Sequence, residues 1–415
     1  MQPGNRFLAT TALGAAITAN ALNPVATQGP ASVPAFAWGW LPSELPLQAG
    51  LAQLGAAAFA ARDGGWKGWR GALGLAAMAG SAVGLRKIHQ QAGLAGGLLE
   101  DALVAELGSD YRNRISETFT PRPEVAITRE QLVRPDFNVR RRFRQVKDVS
   151  YGDAGLRNRL DVWKRADLPK DAKAPVLFQV HGGAWVVGMK EGQGEPLMAH
   201  LAERGWVCVT ANYRLSPRAT WPDHVVDVKK ALAWVKATIA EHGGDPDFVV
   251  ITGGSAGGHL CALTALTPGV AEFQPGFEDA DLSVAAAVPF YGVYDFADAL
   301  GHGTMRADMV PFLEQRVFKT KRKDDLAAWR QASPIEHVGP DAPPFFVLHG
   351  TNDSLVPIEQ ARSFVDDLRK ASRQPVVYAE LPGAQHAFEM FPSVRSHATV
   401  HAVERFLAVV RSEHS

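Results

Sequence analysis

Short apolar runs alternate with amphipathic stretches over the last two thirds of the chain. Seven such runs have the length and composition of buried strands. They lie near 160–163, 175–180, 206–211, 248–252, 284–290, 344–348 and 376–381. Between them, apolar residues recur at helical spacing, and the clearest stripe consists of Val225, Val228, Leu232, Val235 and Ile239. This alternation of strands and amphipathic helices predicts a mostly parallel, doubly wound sheet.

The first 100 residues have a different pattern. No charged residue occurs from Phe7 to Ser43, and runs rich in alanine and glycine cover 7–22, 45–61 and 71–85. Each run has about 15–17 residues, which is at or below the length that spans a bilayer. Four tryptophans flank the runs, as interfacial tryptophans do: Trp38, Trp40, Trp66 and Trp69. The pattern predicts a region of apolar helices.

Three interpretations of this region stay open. It could be a signal peptide followed by surface helices, a membrane-embedded helical hairpin, or a set of cap helices packed on the rest of the chain. So much apolar surface must be buried against either lipid or protein. We expect residues 1–100 to associate with a membrane or the cell envelope, and the chain to be exported if the first run is a signal.

Charge and cysteine content add few constraints. Lys plus Arg equals Asp plus Glu at 43 each, so the chain has no overall basic field and we expect no nucleic-acid partner. Cys208 and Cys261 fall inside predicted elements and are interpreted as core residues. His397 and His401 share a predicted helix face, but no zinc motif accompanies them, so we expect a surface pair and no metal. The oligomeric state stays open.

A serine stands between the predicted strand at 248–252 and a predicted helix, within the sequence GGSAG at 253–257. A strand, a sharp turn with serine at its tip and a helix form a nucleophile elbow, which exposes the serine Oγ. The positions two before and two after the serine must be small, because strand and helix nearly touch there. Gly253 and Gly257 meet this requirement, so Ser255 is the candidate nucleophile.

The sequence HGGAW at 181–185 directly follows the predicted strand at 175–180. Glycines at the end of a strand leave backbone N–H groups free to point into a cleft, which is what an oxyanion hole requires. We predict the N–H groups of Gly182 and Gly183 as donors. A third is Ala256, at the N-terminus of the helix after the elbow.

Two later loops supply a candidate acid and a candidate base. Asp353 follows the predicted strand at 344–348, and loops at the carboxyl ends of parallel strands carry the chemistry of such sheets. His386 follows the strand at 376–381 and alone among the 13 histidines falls on a late loop of this kind. An acid that accepts the histidine Nδ1–H fixes the tautomer needed for a general base. Serine, acid and histidine follow in the chain order of an α/β-hydrolase triad.

With these motifs the chain resembles the hormone-sensitive-lipase branch of the α/β-hydrolases, the bacterial esterases and lipases. The resemblance covers about 146–415 and includes the HGG box at 181–183 and the sequence NYRLSP at 212–217. Two positions depart from it: Gly254 replaces an aspartate, and Ala184 a third glycine, that many members carry. Both variants also occur in the related arylformamidases and prenylcysteine methylesterases. The resemblance implies an α/β-hydrolase fold with a helical cap and no cofactor.

We therefore expect a serine carboxylesterase or lipase that hydrolyses short- to medium-chain esters through an acyl-enzyme. The substrate would be a small-molecule ester or a lipid, held in a pocket that we expect Trp185 and Trp221 to line. An arylformamidase-like amidase and a non-catalytic ligand-binding protein are the alternatives.

The expected organisation has three parts, and the first of them carries no predicted catalytic group. The parts are an apolar N-terminal region at 1–100, a linker or cap segment at 101–145, and a catalytic domain at 146–415 with a cap insertion near 295–333.

Overall fold

An eight-stranded sheet forms the centre of the molecule. The computed structural model describes residues 2–119, 121, 127–133, 135–136, 138–298 and 305–414. The strand order is β1-β2-β4-β3-β5-β6-β7-β8. The strands are β1 Arg144–Ser150, β2 Arg159–Trp163, β3 Ala174–Val180, β4 Val207–Ala211, β5 Gly244–Gly254, β6 Ala286–Phe290, β7 Phe345–Gly350 and β8 Val376–Leu381. The seven predicted strands are β2 to β8.

The sheet is parallel from β4 to β8 and antiparallel only at its first edge. β2 pairs antiparallel with both β1 and β4, whereas β3 pairs parallel with β4 and β5. The order then continues with parallel pairs through β6, β7 and β8. The carboxyl ends of these parallel strands meet along one edge of the sheet, and the loops that leave that edge carry the predicted catalytic residues.

Helices cover both faces of the sheet. In the catalytic part they are α5 Ala95–Leu107, α6 Arg129–Val133, α7 Arg140–Phe143, α8 Glu195–Glu203, α9 Asp223–Thr238, α10 Ala256–Leu266, α11 Met309–Leu313, α12 Leu326–Gln331, α13 Ile358–Ala371 and α14 Val394–His414. One core cluster joins α9, α10 and α13 to the sheet, and the other joins α5, α8 and α14. The predicted stripe of α9 is fully buried, and Cys208 and Cys261 are buried free thiols. The predicted α/β-hydrolase architecture is confirmed.

Four helices precede this domain: α1 Pro3–Leu22, α2 Ser32–Glu44, α3 Pro46–Ala61 and α4 Gly68–Gly93. α1 packs along α4, where Phe7 is buried and Thr18 Oγ1 lies 2.7 Å from Ser81 Oγ. Among the described residues, no helix has both the length and the apolar character needed to cross a membrane. The three predicted apolar runs lie in α1, α3 and α4. These helices pack on one another.

The boundary expected near residue 100 falls inside a helix. Leu99 and Leu103 of α5 are fully buried in the same core cluster as the sheet residues Phe346 and Leu348. α5 therefore shares the core of the catalytic domain, although its second half lies in the expected 101–145 linker or cap segment. The sequence did not reveal this because α5 follows α4 almost without interruption.

Candidate active site

The serine turn has the geometry of a nucleophile elbow. Ser255 follows β5 directly and has φ 60° and ψ −123°, a conformation that non-glycine residues rarely adopt. A Cβ at Gly253 would lie 2.5 Å from the carbonyl oxygen of Gly257, and one at Gly257 would lie 2.2 Å from that of Val180. Glycine is required at both positions because strand and helix come this close.

The residue before the serine explains one departure from the family pattern. A Cβ at Gly254 would lie 2.5 Å from Tyr291 Oη. The tyrosine follows β6, has a positive φ of 36°, and is fully buried. Its hydroxyl donates a short hydrogen bond to Glu389 Oε2. Tyr291 thus occupies the space into which a side chain at position 254 would project.

Asp353 and His386 come together as predicted. His386 Nδ1 donates to Asp353 Oδ2 at 2.7 Å. The N–H groups of Leu355 and Val356 donate to the other carboxylate oxygen, both at 2.8 Å, and His349 Nε2 lies 3.3 Å from Oδ2. Burial by itself raises the pKa of Asp353, but the charge of His386 and the hydrogen bonds from both histidines hold that pKa well below its ordinary value. The acid is thus an anion oriented toward the imidazole.

Tyr291 lies next to both the serine turn and this pair. The Tyr291 ring is in contact range of residue 254, and its centroid lies 4.4 Å from that of the His386 imidazole. Within the described part of the chain, Ser255 Oγ makes no hydrogen bond. Such bonds are often long in unliganded enzymes and tighten only with substrate.

The predicted oxyanion hole needs a correction. The N–H of Gly182 donates to Gln193 Oε1 at 2.6 Å, so this group is already engaged and our assignment of Gly182 as a donor is wrong. Glycine is needed there for space, since a Cβ would lie 2.6 Å from the carbonyl oxygen of Gly254. The chain then turns through positive φ at Gly183 (123°) and Ala184 (50°). Neither N–H donates to another described residue, so Gly183, Ala184 and Ala256 are the candidate donors.

A largely apolar cavity of about 390 Å³ lies beside Ser255. Its lining comes from the segment after the HGG box, the cap insertion, the loop after Asp353 and the N-terminal region. The lining residues include Gly29, Pro30, Val33, Ala184, Trp185 and Met309. Part of the predicted cap insertion thus lines the pocket, although residues 299–304 of it lie outside the described residues. The N-terminal region also lines the pocket, as its interpretation as cap helices packed on the rest of the chain requires.

The two tryptophans predicted to line the pocket behave differently. Trp185 lines the cavity, and its indole N–H donates to His259 Nδ1 at 3.0 Å. Burial lowers the pKa of His259 to about 3, so the ring is neutral and can accept this bond. Trp221 is not part of the lining. It packs deeper, against Phe273 and Phe318, because its loop turns into the core.

The histidine pair on α14 is not the surface pair that we expected. His401 is buried, and its ring centroid lies 4.5 Å from that of His200. His200, His401 and Glu404 form the one group among the described residues whose ligand atoms could surround a metal ion. Glu404 already pairs with Arg204 at 2.6 Å, a cation that would oppose a metal there.

Comparison with known proteins identifies the family of this chain. Residues 160–368 match the family model BD-FAE. The chain belongs to this family. The probable carboxylic ester hydrolase LipM of Mycobacterium tuberculosis is 50% identical over 408 residues, which are 97% of this chain and 93% of that protein. The resemblance to hormone-sensitive-lipase-like esterases is therefore confirmed.

Two more distant relatives are also named as esterases. A probable isoprenylcysteine α-carbonyl methylesterase of Arabidopsis thaliana is 30% identical over 233 residues, 54% of this chain and 47% of that protein. The butyrate-bound structure of an esterase, Est2 from Thermogutta terrifontis, aligns with a TM-score of 0.54 and 28% identity, over 63% of this chain and 93% of that chain. The methylesterase relationship inferred from Gly254 and Ala184 is thereby confirmed.

Proposed function

We propose that this enzyme is a carboxylic ester hydrolase in which Ser255 attacks the acyl carbon and His386, oriented by Asp353, acts as the base. The 2.7 Å bond between His386 Nδ1 and Asp353 carries the proposal, because it leaves Nε2 as the nitrogen that accepts the serine proton. The name of the LipM relative supports the reaction class.

The catalytic cycle follows from these roles. His386 Nε2 takes the Ser255 proton as the serine oxygen bonds to the acyl carbon, and the negative charge moves to the former carbonyl oxygen. The N–H groups of Gly183, Ala184 and Ala256 stabilise that oxyanion. The imidazolium then gives its proton to the departing alcohol, leaving an acyl-enzyme. Water repeats the sequence with His386 as base, releases the acid and restores the serine.

The volume of the cavity favours short- to medium-chain acyl groups. A volume of about 390 Å³ is at the small end of ligand pockets, which span roughly 300–1,000 Å³. The butyrate bound to the Thermogutta relative is in keeping with this size. Hydrolysis of p-nitrophenyl esters should be fastest between C4 and C8. A higher kcat/KM for C16 or C18 esters would refute the proposed chain length.

The nucleophile is tested by substitution. Ser255→Ala should remove nearly all p-nitrophenyl butyrate hydrolysis and leave the melting temperature close to that of the native chain, because triad members act as a unit. Ser283→Ala is the matched control, since Ser283 is exposed and far from the elbow in sequence. Comparable activity of the two variants would rule out Ser255 as nucleophile.

We also propose that the turn between α3 and α4 rests on an anionic membrane surface. Three aromatic side chains in this turn or in the adjoining helix ends are 51–66% exposed. Each has a cation over its ring: Arg62 on Phe59 at 4.1 Å, Lys67 on Trp66 at 5.7 Å and Arg70 on Trp69 at 4.8 Å. Residues 1–99 carry six basic and two acidic side chains. Aromatic rings with basic neighbours are typical of interfacial contacts with acidic headgroups.

Co-sedimentation with vesicles tests this proposal. The full chain should bind phosphatidylglycerol vesicles and bind phosphatidylcholine vesicles much less. Replacing both Trp66 and Trp69 by Gln should abolish binding, whereas Leu156→Gln should leave it unchanged, because that exposed leucine lies in the catalytic domain. Equal binding of the two variants would contradict the proposal.

A further inference from the structure

Helix α2 is fixed at its start to the loop that carries Asp353. Arg306 Nη2 donates to Ser32 Oγ at 2.6 Å and to the carbonyl oxygen of Gly29 at 3.2 Å. The other terminal nitrogen, Nη1, donates to the carbonyl oxygens of Ser354 at 2.9 Å and Leu355 at 3.0 Å. One buried guanidinium therefore joins the first turn of α2 to the residues immediately after the acid.

The other end of α2 is fixed to the segments on either side of His386. Glu44 and Arg395 form a fully buried ion pair at 2.7 Å. Ser393 Oγ also donates to Glu44 at 2.8 Å, and Arg395 Nη2 donates to the carbonyl oxygen of Pro382 at 2.9 Å. The last turn of α2 is thus tied to the start and the end of the loop that carries the base.

Between these two anchors, α2 contacts the base itself. The Phe36 ring meets the His386 imidazole edge-on, with centroids 5.9 Å apart. One turn later, Trp40 Nε1 donates to the carbonyl oxygen of Ala387 at 2.9 Å. Ala387 has φ 59°, a left-handed conformation that costs a non-glycine residue on the order of 1–2 kcal/mol and needs support from its surroundings. The indole bond fixes the carbonyl group of the residue that follows His386.

We propose that α2 is a positioning element of the active site, with Trp40 and Phe36 holding His386 in its productive orientation. This inference rests on the proposed role of His386 as base. The segment just before Phe36 also closes the cavity beside Ser255 through Gly29, Pro30 and Val33. Misplacing a catalytic group by about 1 Å costs up to 100-fold in rate, so losing one such contact should slow the reaction measurably.

Conservative variants of the full chain test the proposal. Trp40→Phe removes the indole N–H and keeps an aromatic ring, and Phe36→Leu removes the edge contact. Trp38→Phe is the control, because Trp38 lies on the same helix but is 57% exposed. We measure kcat and KM for p-nitrophenyl butyrate, the labelling rate with a fluorophosphonate and the melting temperature. For Trp40→Phe and Phe36→Leu, kcat and the labelling rate should fall about tenfold. Their KM should stay within twofold of the native value, and their melting temperatures should equal that of Trp38→Phe.

The outcomes separate this inference from the proposed function. If Trp40→Phe and Phe36→Leu retain the kcat of Trp38→Phe, α2 does not position the base and the inference is wrong. A loss of kcat that only follows a lower melting temperature would equally overturn it, since the contacts would then be structural alone. If the native chain neither hydrolyses the ester nor reacts with the fluorophosphonate, the failure lies with the proposed function.

Discussion

The buried pair of Glu44 and Arg395 provides the sharpest stability prediction. Both side chains are fully buried. Arg395 also donates to the carbonyl oxygens of Ser43 and Pro382, and Glu44 accepts from Ser393. Glu44→Gln keeps the shape but leaves the guanidinium without its counter-charge. Breaking a buried ion pair in this way costs about 3–5 kcal/mol, and the remaining hydrogen bonds of Arg395 place the expected loss near the lower limit.

Removing the other partner, Arg395, should lower the free energy of unfolding less at acidic pH than at alkaline pH. Burial raises the pKa of Glu44 above its ordinary value, and the charge of Arg395 only partly offsets this. In an Arg395→Met variant the carboxyl can take up a proton, so that variant should be less destabilised at pH 5 than at pH 8. Replacing the pair together, with Glu44→Leu and Arg395→Met, should cost less than the sum of the single changes.

Urea unfolding followed by tryptophan fluorescence measures these differences. Asp341→Asn is the control, since it breaks an exposed pair with Arg373 that should contribute about 0–1 kcal/mol. If Glu44→Gln lowers the free energy of unfolding no more than Asp341→Asn does, then the first 44 residues are not docked on the catalytic domain as described.

Three further predictions concern the site. Asp353→Asn should lower kcat about 10⁴-fold, because the amide no longer holds the required tautomer of the base, and near-native kcat would exclude Asp353 as the acid. Burial raises the pKa of Glu389 to about 7, so the folded chain keeps a proton that the unfolded chain loses, and stability should fall as pH rises from about 4.5 to 7. Glu389→Gln should remove this loss, on the order of 3 kcal/mol, and unchanged pH dependence of the melting temperature would contradict it. Gly254→Asp should lower both stability and activity because its Cβ would meet Tyr291 at 2.5 Å, and a melting temperature equal to the native one would refute this steric argument.

The sheet and the partnership of Asp353 with His386 could be predicted because their signals are local. Buried parallel strands are short apolar runs, and each catalytic candidate directly follows such a run. The donor at Gly182 was misassigned for a different reason: sequence shows that a glycine is present, but not that Gln193, eleven residues later, occupies its N–H. Trp221 was misplaced because the direction in which its loop turns depends on tertiary packing.

The sequence left a cap role open for the N-terminal helices, but it could not show that α2 contacts His386. Phe36 and Trp40 lie some 350 residues before His386 in the chain, and no periodic pattern relates them to it. Their segment lacks charge up to Ser43, so composition alone cannot distinguish a lipid-facing helix from one that covers a pocket. The carboxylate of Glu44 needs a cationic partner only because it is buried, and the sequence shows neither that burial nor Arg395 as the partner.

Covalent labelling followed by peptide mass mapping tests whether Ser255 is the nucleophile of an ester hydrolase. Incubation of the native chain with a fluorophosphonate should give one adduct per chain, located on the peptide that contains Ser255, and activity should disappear in proportion to labelling. Ser255→Ala should acquire no adduct. An adduct on another residue, or full activity of the labelled enzyme, would exclude Ser255 as the nucleophile.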